Sequence, residues 1–357
     1  MDKKIKVGIT QGDYNGIGLE VALKAIADPM VTELFTPVLF ADSRLVEDAL
    51  EASDLTLPTA FIVKDASEVR PGHVNIVDLK LDDITLTPGK GSEASGRGAV
   101  ASLEAAVEAV KNGLVDVLVT APISKEAVQS KSFKFSGHTE FLGQKAGNDA
   151  KPQMILFDDR MRVALVTTHL PLAGIPEAVT TEKVSEAIRS LSHTLKRDFS
   201  VTRPKIAVLS LNPHVGDGGL LGSEESEIIT PAIDACEAEG ILAFGPYAAD
   251  GFFGSGAFRN FDGILAMYHD QGLAPFKALA GEEGVNFTAG LPFVRTSPAH
   301  GTAFDIAWKN EANPRSMSEA IYKAVDIRRH RMNYDRAAAN PLKKHSTERP
   351  SKADKEQ

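Results

Sequence analysis

Residues 162–169, RVALVTTH, pass through an uninterrupted apolar run and stop at a histidine. The chain does this twice more, at residues 205–214, KIAVLSLNPH, and residues 263–269, GILAMYH. An apolar run without alternation, bounded by polar and small residues, reads as a strand buried on both faces of a parallel sheet. Ligands in open α/β sheets bind beyond the carboxyl ends of such strands. His169, His214 and His269 therefore arrive at one edge from three parts of the chain, and neutral imidazole suits divalent zinc, cobalt, nickel or iron. The reading is a metal site. Any one of these histidines alone reads more readily as a hydrogen-bonded loop residue; their surroundings tip the balance. His214 sits in the Gly-rich stretch LNPHVGDGG, and Asp270 follows His269 directly, where a carboxylate can act as a further ligand or fix the ring.

Outward from these strands, the first half alternates IKVGIT, GIGLEVALKAIA, PVLFA and SRLVEDALEA, which predicts βαβ units and mostly parallel strands with flanking helices, an α/β fold. An Ala-rich helix is expected over 94–113, ending at Gly113, then a strand in VDVLVTAP that leaves Lys125 at the ligand-facing edge. Strands are expected near 153–157, 162–168, 205–211 and 263–268, and helices near 181–197, 224–239 and 318–332. Residues 341–357 are charged, lack apolar periodicity and read as a disordered tail.

The 357 residues are 43% hydrophobic and 24% charged, with a formal net charge of −9. This balance argues against a nucleic-acid surface. No run approaches a membrane span, and the start MDKKIKVGIT lacks the apolar core of a signal peptide. Cys236 is the only cysteine, which leaves no disulfide framework and no thiolate cluster for a metal. A cytoplasmic location is expected, with neither nucleic acid nor membrane as partner.

The turn TQGDYNGIGLE places Gly12, Gly16 and Gly18 before a helix, a geometry that can present backbone N–H groups to an anion. Its spacing is not that of a dinucleotide fingerprint, and a tight βα turn accounts for it equally well. In SGHTEFLGQKAG, Ser136, Gly137, His138 and Thr139 precede a helix whose N-terminus favours a carboxylate or phosphate; a simple helix cap is an even rival. Lys277, Asn286 and Arg295 follow at nine-residue steps, two charged donors and a neutral one suited to phosphate and carboxylate oxygens. The apolar setting of Asn286 and Arg295 sets them apart from ordinary surface residues.

Taken in order, TAPISKEA, SGHTEFL, TTHLPL, LNPHVGDGG, YHDQGLAPFK and VNFTAGLPFVRTSPAHGTAFDIA resemble the 4-hydroxythreonine-4-phosphate dehydrogenase family of vitamin B6 biosynthesis, from the first strand to about residue 335. The resemblance implies a two-domain isocitrate/isopropylmalate-dehydrogenase-like fold, divided as 1–125 plus 296–340 and 126–295, the second part carrying the metal and dimer contacts. It implies a homodimer with active sites at the subunit interface, NAD or NADP, and one divalent metal (zinc, cobalt, magnesium or manganese). Carried over by residue, it puts the metal on His169, His214 and His269 with Asp250 and Asp270 nearby. The substrate falls on His138, Thr139, Lys277, Asn286 and Arg295. AHGTAFDIA resembles the adenosine-contacting loop of related decarboxylating dehydrogenases, which points to His300, Gly301, Thr302, Ala303 and Asp305; a structural strand-to-helix turn would look similar.

The implied reaction oxidises the 3-hydroxyl of 4-phosphooxy-L-threonine, and the resulting 2-amino-3-oxo acid then loses carbon dioxide. Lys125 and Asp270 are the candidate bases. The chain departs from the family pattern at Gln11, Tyr14, Asn15 and Leu19, which puts that loop's contribution and the substrate's identity in question. D-threonate or D-erythronate 4-phosphate is the alternative substrate. A metal-dependent lyase acting on a phosphorylated acid and a non-catalytic anion- or metal-binding protein are the rivals from other classes.

Overall fold

The computed structural model describes residues 4–129, 135, 137–147 and 150–340. The stretch 341–357, expected as a disordered tail, lies outside the described residues. Twelve strands form one sheet: β1 Lys6–Thr10, β2 Thr36–Ala41, β3 Ala60–Val63, β4 Val74–Asp78, β5 Val117–Val119 and β6 Gln153–Phe157, then β7 Arg162–Leu165, β8 Lys205–Leu209, β9 Leu242–Tyr247, β10 Gly263–Ala266, β11 Val285–Ala289 and β12 Val294–Pro298. Their order is β3-β4-β2-β1-β5-β12-β11-β6-β7-β10-β8-β9. The mixed α/β fold with a mostly parallel sheet is the one the sequence predicts. The pairs β11–β12, β11–β6 and β6–β7 alone run antiparallel, in the middle of the sheet.

The three apolar runs form β7, β10 and β8, which are adjacent and mutually parallel. Every residue from Val163 to Leu165, Ile206 to Leu209 and Gly263 to Ala266 is buried, because helices cover both faces. Each strand ends two or three residues earlier than the sequence suggests, so the histidines stand on the following segments. His169 and His214 lie four and five residues past Leu165 and Leu209, and His269 three past Ala266, as the first residue of the helix His269–Ala280. Gln271 ties two of these ends together: its amide oxygen accepts from Met267 N and its amide nitrogen donates to the Ser210 carbonyl.

The long helices fall where periodicity puts them, Glu93–Lys111 with a Ser92/Ser95 capping box and Thr181–Arg197 with Thr180 as its cap. The last helix runs from Arg315 to Ala339, longer at both ends than the stretch 318–332. The segment expected near 224–239 begins as a π-turn, Glu225–Ile229, and becomes α-helical at Thr230; Pro231, with no N–H to give, sits just inside. Among the described residues no helix is long and apolar enough to cross a membrane.

Candidate active site

A cavity of about 240 Å³ opens at the centre of the sheet, where the antiparallel strands adjoin the ends of the parallel ones. Its floor follows from strand alternation. Asn286 pairs with Leu156 on one side and Ser297 on the other, so these three, with Met154 and Arg295 two residues along their strands, share one face. Thr120, Ile123 and Lys125 enter after β5, and His138, Thr139 and Glu140 come from the first turn of the helix His138–Ala146. His169 enters after β7, His269 and Lys277 come from the helix that follows β10, and His300 and Gly301 lie just past β12.

Arg295 is 1% exposed, and among the described residues it has no carboxylate partner. Its Nε and Nη2 donate to Thr120 Oγ1, and its Nη1 donates to Thr288 Oγ1 at 2.9 Å. Burial alone pulls the guanidinium down to about 9. A cation held this way is costly to the fold and stabilised by an incoming anion. His138 has its Nε2 buried without a hydrogen-bond partner, and burial first, then the nearby Arg295 charge, hold its imidazole well below the ordinary histidine range. Asn286 Oδ1 and His300 Nε2 are likewise buried and unsatisfied. Buried polar atoms are nearly always paired in folded proteins. These three unpaired atoms all line this one cavity, a set able to meet a ligand's polar groups.

On the other wall the His169 and His269 rings lie 5.9 Å apart between centroids. Each has a carboxylate against Nδ1: Glu140 Oε1 at 3.4 Å from His169, and Asp270 Oδ1 at 2.6 Å from His269. Both rings thus have Nε2 as the nitrogen available to a ligand. Asp270 does not line the cavity; its oxygen serves the neighbouring ring.

His214 is not gathered with this pair. It lines an adjoining pocket of about 520 Å³ with Asp250, Asn212, Tyr268 and Gln271. Among the described residues no group of three or more His, Cys, Asp and Glu side chains is drawn together as for a metal. Strand order gives the reason. β10 lies between β7 and β8, which sets the origins of His169 and His214 about 10 Å apart at ordinary strand spacing. The loop then turns left-handed through His214, Val215, Gly216, Asp217 and Gly218, all at positive φ. Three of these five, His214, Val215 and Asp217, are not glycine, and such positions are strained and need support. The buried Glu225 anchors the entry to this loop by accepting from the Leu211 and Asn212 backbone N–H groups.

Thr302, Ala303 and Asp305 also stand outside the cavity. The Thr302 carbonyl accepts from Ile17 N at 3.0 Å, and a Cβ on Gly16 would meet that same oxygen at 2.7 Å, so this segment rests on the glycine turn after β1. The unusual residues of that turn are buried and structural. Gln11 donates to the Gly98 carbonyl and accepts from Asp42 N; Asn15 donates to the Lys90 carbonyl and accepts from Thr87 N. Tyr14 and Leu19 are core residues, and none of the four lines the cavity.

Thr120, Thr288 and Glu140 are site residues that the sequence reading passes over. Thr120 carries the one available signal, a polar residue closing the apolar run VDVLV.

The family model described as pyridoxal phosphate biosynthetic protein PdxA matches residues 33–324. A 4-hydroxythreonine-4-phosphate dehydrogenase of Bacteroides thetaiotaomicron is 50% identical over 354 residues, 99% of this chain and 97% of the relative. A putative D-threonate 4-phosphate dehydrogenase of Oceanobacillus iheyensis is 37% identical, over 92% of this chain and 99% of its own. Among solved structures, 4-hydroxythreonine-4-phosphate dehydrogenase from Klebsiella pneumoniae superposes with a TM-score of 0.80 at 33% identity, covering 92% of this chain and 98% of that one. An isocitrate dehydrogenase from Methylococcus capsulatus shares the fold alone, at 14% identity and a TM-score of 0.50 over 94% of this chain and 89% of that one.

Proposed function

The chain belongs to the PdxA family of pyridoxal phosphate biosynthetic proteins, and from that premise we propose that it oxidises the 3-hydroxyl of 4-phosphooxy-L-threonine with NAD or NADP and a divalent metal. The product, 2-amino-3-oxo-4-phosphooxybutanoate, loses carbon dioxide to give 3-amino-2-oxopropyl phosphate on the way to pyridoxal phosphate. The observation that carries this reading is the carboxylate-free Arg295 in a cavity that also holds His138, Asn286 and the His169–His269 pair. A doubly anionic substrate, phosphate at one end and carboxylate at the other, suits that set.

Arg295 binds a substrate oxyanion from a fixed fork held by Thr120 and Thr288. Lys125 and Lys277 reach in from the rim, and His138, Thr139 and Asn286 complete the hydrogen bonds to the substrate. The donor set of His169 and His269, two imidazoles each backed by a carboxylate, fits a borderline metal such as zinc or cobalt better than magnesium or manganese. His169 and His269 would hold the metal, which would supply Lewis acidity toward the substrate oxygen, and the nicotinamide would supply the hydride acceptor. His300, Gly301, Thr302, Ala303 and Asp305 run from the cavity to the glycine turn, a course that suits an extended dinucleotide.

His214 and Asp250 enter this reading through a homodimer with sites at the interface. The support is an exposed apolar fringe around the two separated histidines: Leu170 and Leu172 beside His169, and Val215, Leu220 and Leu221 beside His214. The division into 1–125 plus 296–340 and 126–295 belongs to the same reading, supported by β12 returning to pair with β5. The place of action we infer is the cytoplasm.

The 37% identical relative named for D-threonate 4-phosphate favours a second reading with the same machinery and a hydroxyl in place of the amino group. The test is formation of reduced nicotinamide with both phosphates in parallel, after chelation and after restoring each metal. Reduction with 4-phosphooxy-L-threonine supports the first reading, reduction with D-threonate 4-phosphate alone the second. Metal-dependent cleavage without reduction would overturn both in favour of a lyase.

A further inference from the structure

We propose that Gln271 is a positioning residue of the metal site, the side chain that sets His214 at a fixed place relative to the His169–His269 pair. The proposal rests on the reading above in which these histidines hold the metal. Three separate segments carry them, and hydrogen bonds stitch those segments into one line. The Met267 carbonyl accepts from Thr167 N at 3.1 Å and from Thr167 Oγ1 at 2.8 Å, two residues before His169. The Met267 N–H donates to Gln271 Oε1 at 2.7 Å, and Gln271 Nε2 donates to the Ser210 carbonyl at 2.6 Å, four residues before His214. His269 lies between Met267 and Gln271 in the chain.

The two joints of this line differ in kind. The His169 and His269 segments meet through the backbone, as an extension of the β7–β10 ladder. The β8–β10 ladder stops at the pair Val208–Leu265, and the same register two residues on sets Ser210 opposite Met267. There the Gln271 amide stands between the strand ends, accepting from one and donating to the other as a peptide group would. Among the described residues no other hydrogen bond joins residues 210–219 to residues 267–271. Glu225 holds the far side of the His214 loop through Leu211 and Asn212 but reaches neither of the other two segments. Gln271 also lines the pocket that holds His214, Asp250 and Tyr268, so the wedge sits at the mouth through which His214 is presented. Met267 and Ser210 are both buried, and removing the amide leaves their N–H and carbonyl unpaired, a cost relieved by movement of the two strand ends. A residue that fixes the place of a ligating histidine acts on metal affinity without touching the metal.

The test uses the full chain and cobalt(II), whose visible absorption reports the number and geometry of its ligands. Gln271→Met keeps the length of the side chain and removes both hydrogen bonds. It is expected to weaken cobalt binding by about 10–100-fold in calorimetric titration and to change the visible bands. Inorganic phosphate affinity should hold, because Arg295 and Asn286 are set by β11 and β12. In H214A, which already lacks the ligand that Gln271 places, Q271M should cost cobalt affinity little more, since residues that act through one another are not additive. Wild-type cobalt affinity and spectrum in Q271M overturn the proposal. So do losses that add in the double variant, or a phosphate affinity that falls as far as the cobalt affinity, either of which makes Gln271 a prop of the fold alone. If Q271M does not fold, Q271N, whose amide is too short to span Met267 and Ser210, is read in the same way. A wild-type protein that takes up no cobalt sinks the metal reading itself, a result distinct from equal binding by wild type and variant.

Discussion

Glu140 Oε1 lies 3.4 Å from His169 Nδ1, joining the first turn of the helix that carries His138 and Thr139 to the loop after β7. Glu140 thus orients an imidazole proposed as a metal ligand while its sequence neighbours face the anion. A carboxylate behind a ligating histidine fixes its tautomer and raises its basicity, and its loss costs about 10–100-fold in metal affinity. Glu140→Gln is therefore expected to weaken cobalt or zinc binding by that factor in calorimetric titration, with inorganic phosphate affinity changed less than about threefold on the same scale. Equal losses of both would mean that the helix itself has moved.

Arg295 is expected to trade stability for binding. Its charge is buried among hydroxyls with no carboxylate, so replacing it with an apolar chain of similar length removes an uncompensated cost. Arg295→Met should unfold at equal or higher denaturant concentration than wild type, with ΔG unchanged or raised by about 1–2 kcal/mol. The same variant should raise the phosphate Kd by at least about 10-fold, the loss of one charge-assisted contact. A variant less stable than wild type by more than about 2 kcal/mol would make Arg295 a structural residue, with its cost repaid inside the fold.

The same residues show what a sequence can and cannot reveal. β7, β8 and β10 are legible because burial on both faces leaves apolar runs that nothing else explains. β12, VRTSP, is equally buried yet is not among the strands expected, since a guanidinium and a proline mask a strand whose Arg295 is satisfied by Thr288 of β11 and by Thr120 just past β5. β3, AFIV, is a half-exposed edge strand with no clean alternation. The helix His269–Ala280 is hidden by Pro275 in its interior. The chemistry of the site is visible as residue types at strand ends. The pairing of Glu140 with His169, and the setting apart of His214 by the intervening β10, depend on strand order and loop handedness, which residue types do not encode.

The unliganded protein is expected to lose stability as pH falls. Histidines with depressed pKa bind fewer protons folded than unfolded, so the unfolded state gains protons below its own value of about 6.5 while the fold does not. His138 and His300 are both held down by burial, His138 also by the Arg295 and Lys125 charges, with Glu140 opposing. The contribution is neutral above about pH 6.5 and grows against the fold below it. Urea midpoints measured between about pH 7.5 and pH 5 should fall with acidity in wild type and fall less steeply in H138Q. Parallel slopes for the two proteins would show that His138 is not held neutral by the fold.

Gly16 tests the contact between the first turn and the segment proposed to meet the cofactor. A methyl there would meet the Thr302 carbonyl at 2.7 Å, and that oxygen already accepts from Ile17 N, so the 302–305 segment must shift. Overpacking of this kind costs about 1–3 kcal/mol. Gly16→Ala is expected to lose that much stability and to raise the KM for the nicotinamide several-fold. The cavity floor of Asn286, Ser297 and Arg295 is held by strand pairing that the turn does not touch, so phosphate affinity should hold. If the nicotinamide KM is unchanged while stability falls, the segment carrying Thr302, Ala303 and Asp305 is a structural buttress and the dinucleotide lies elsewhere.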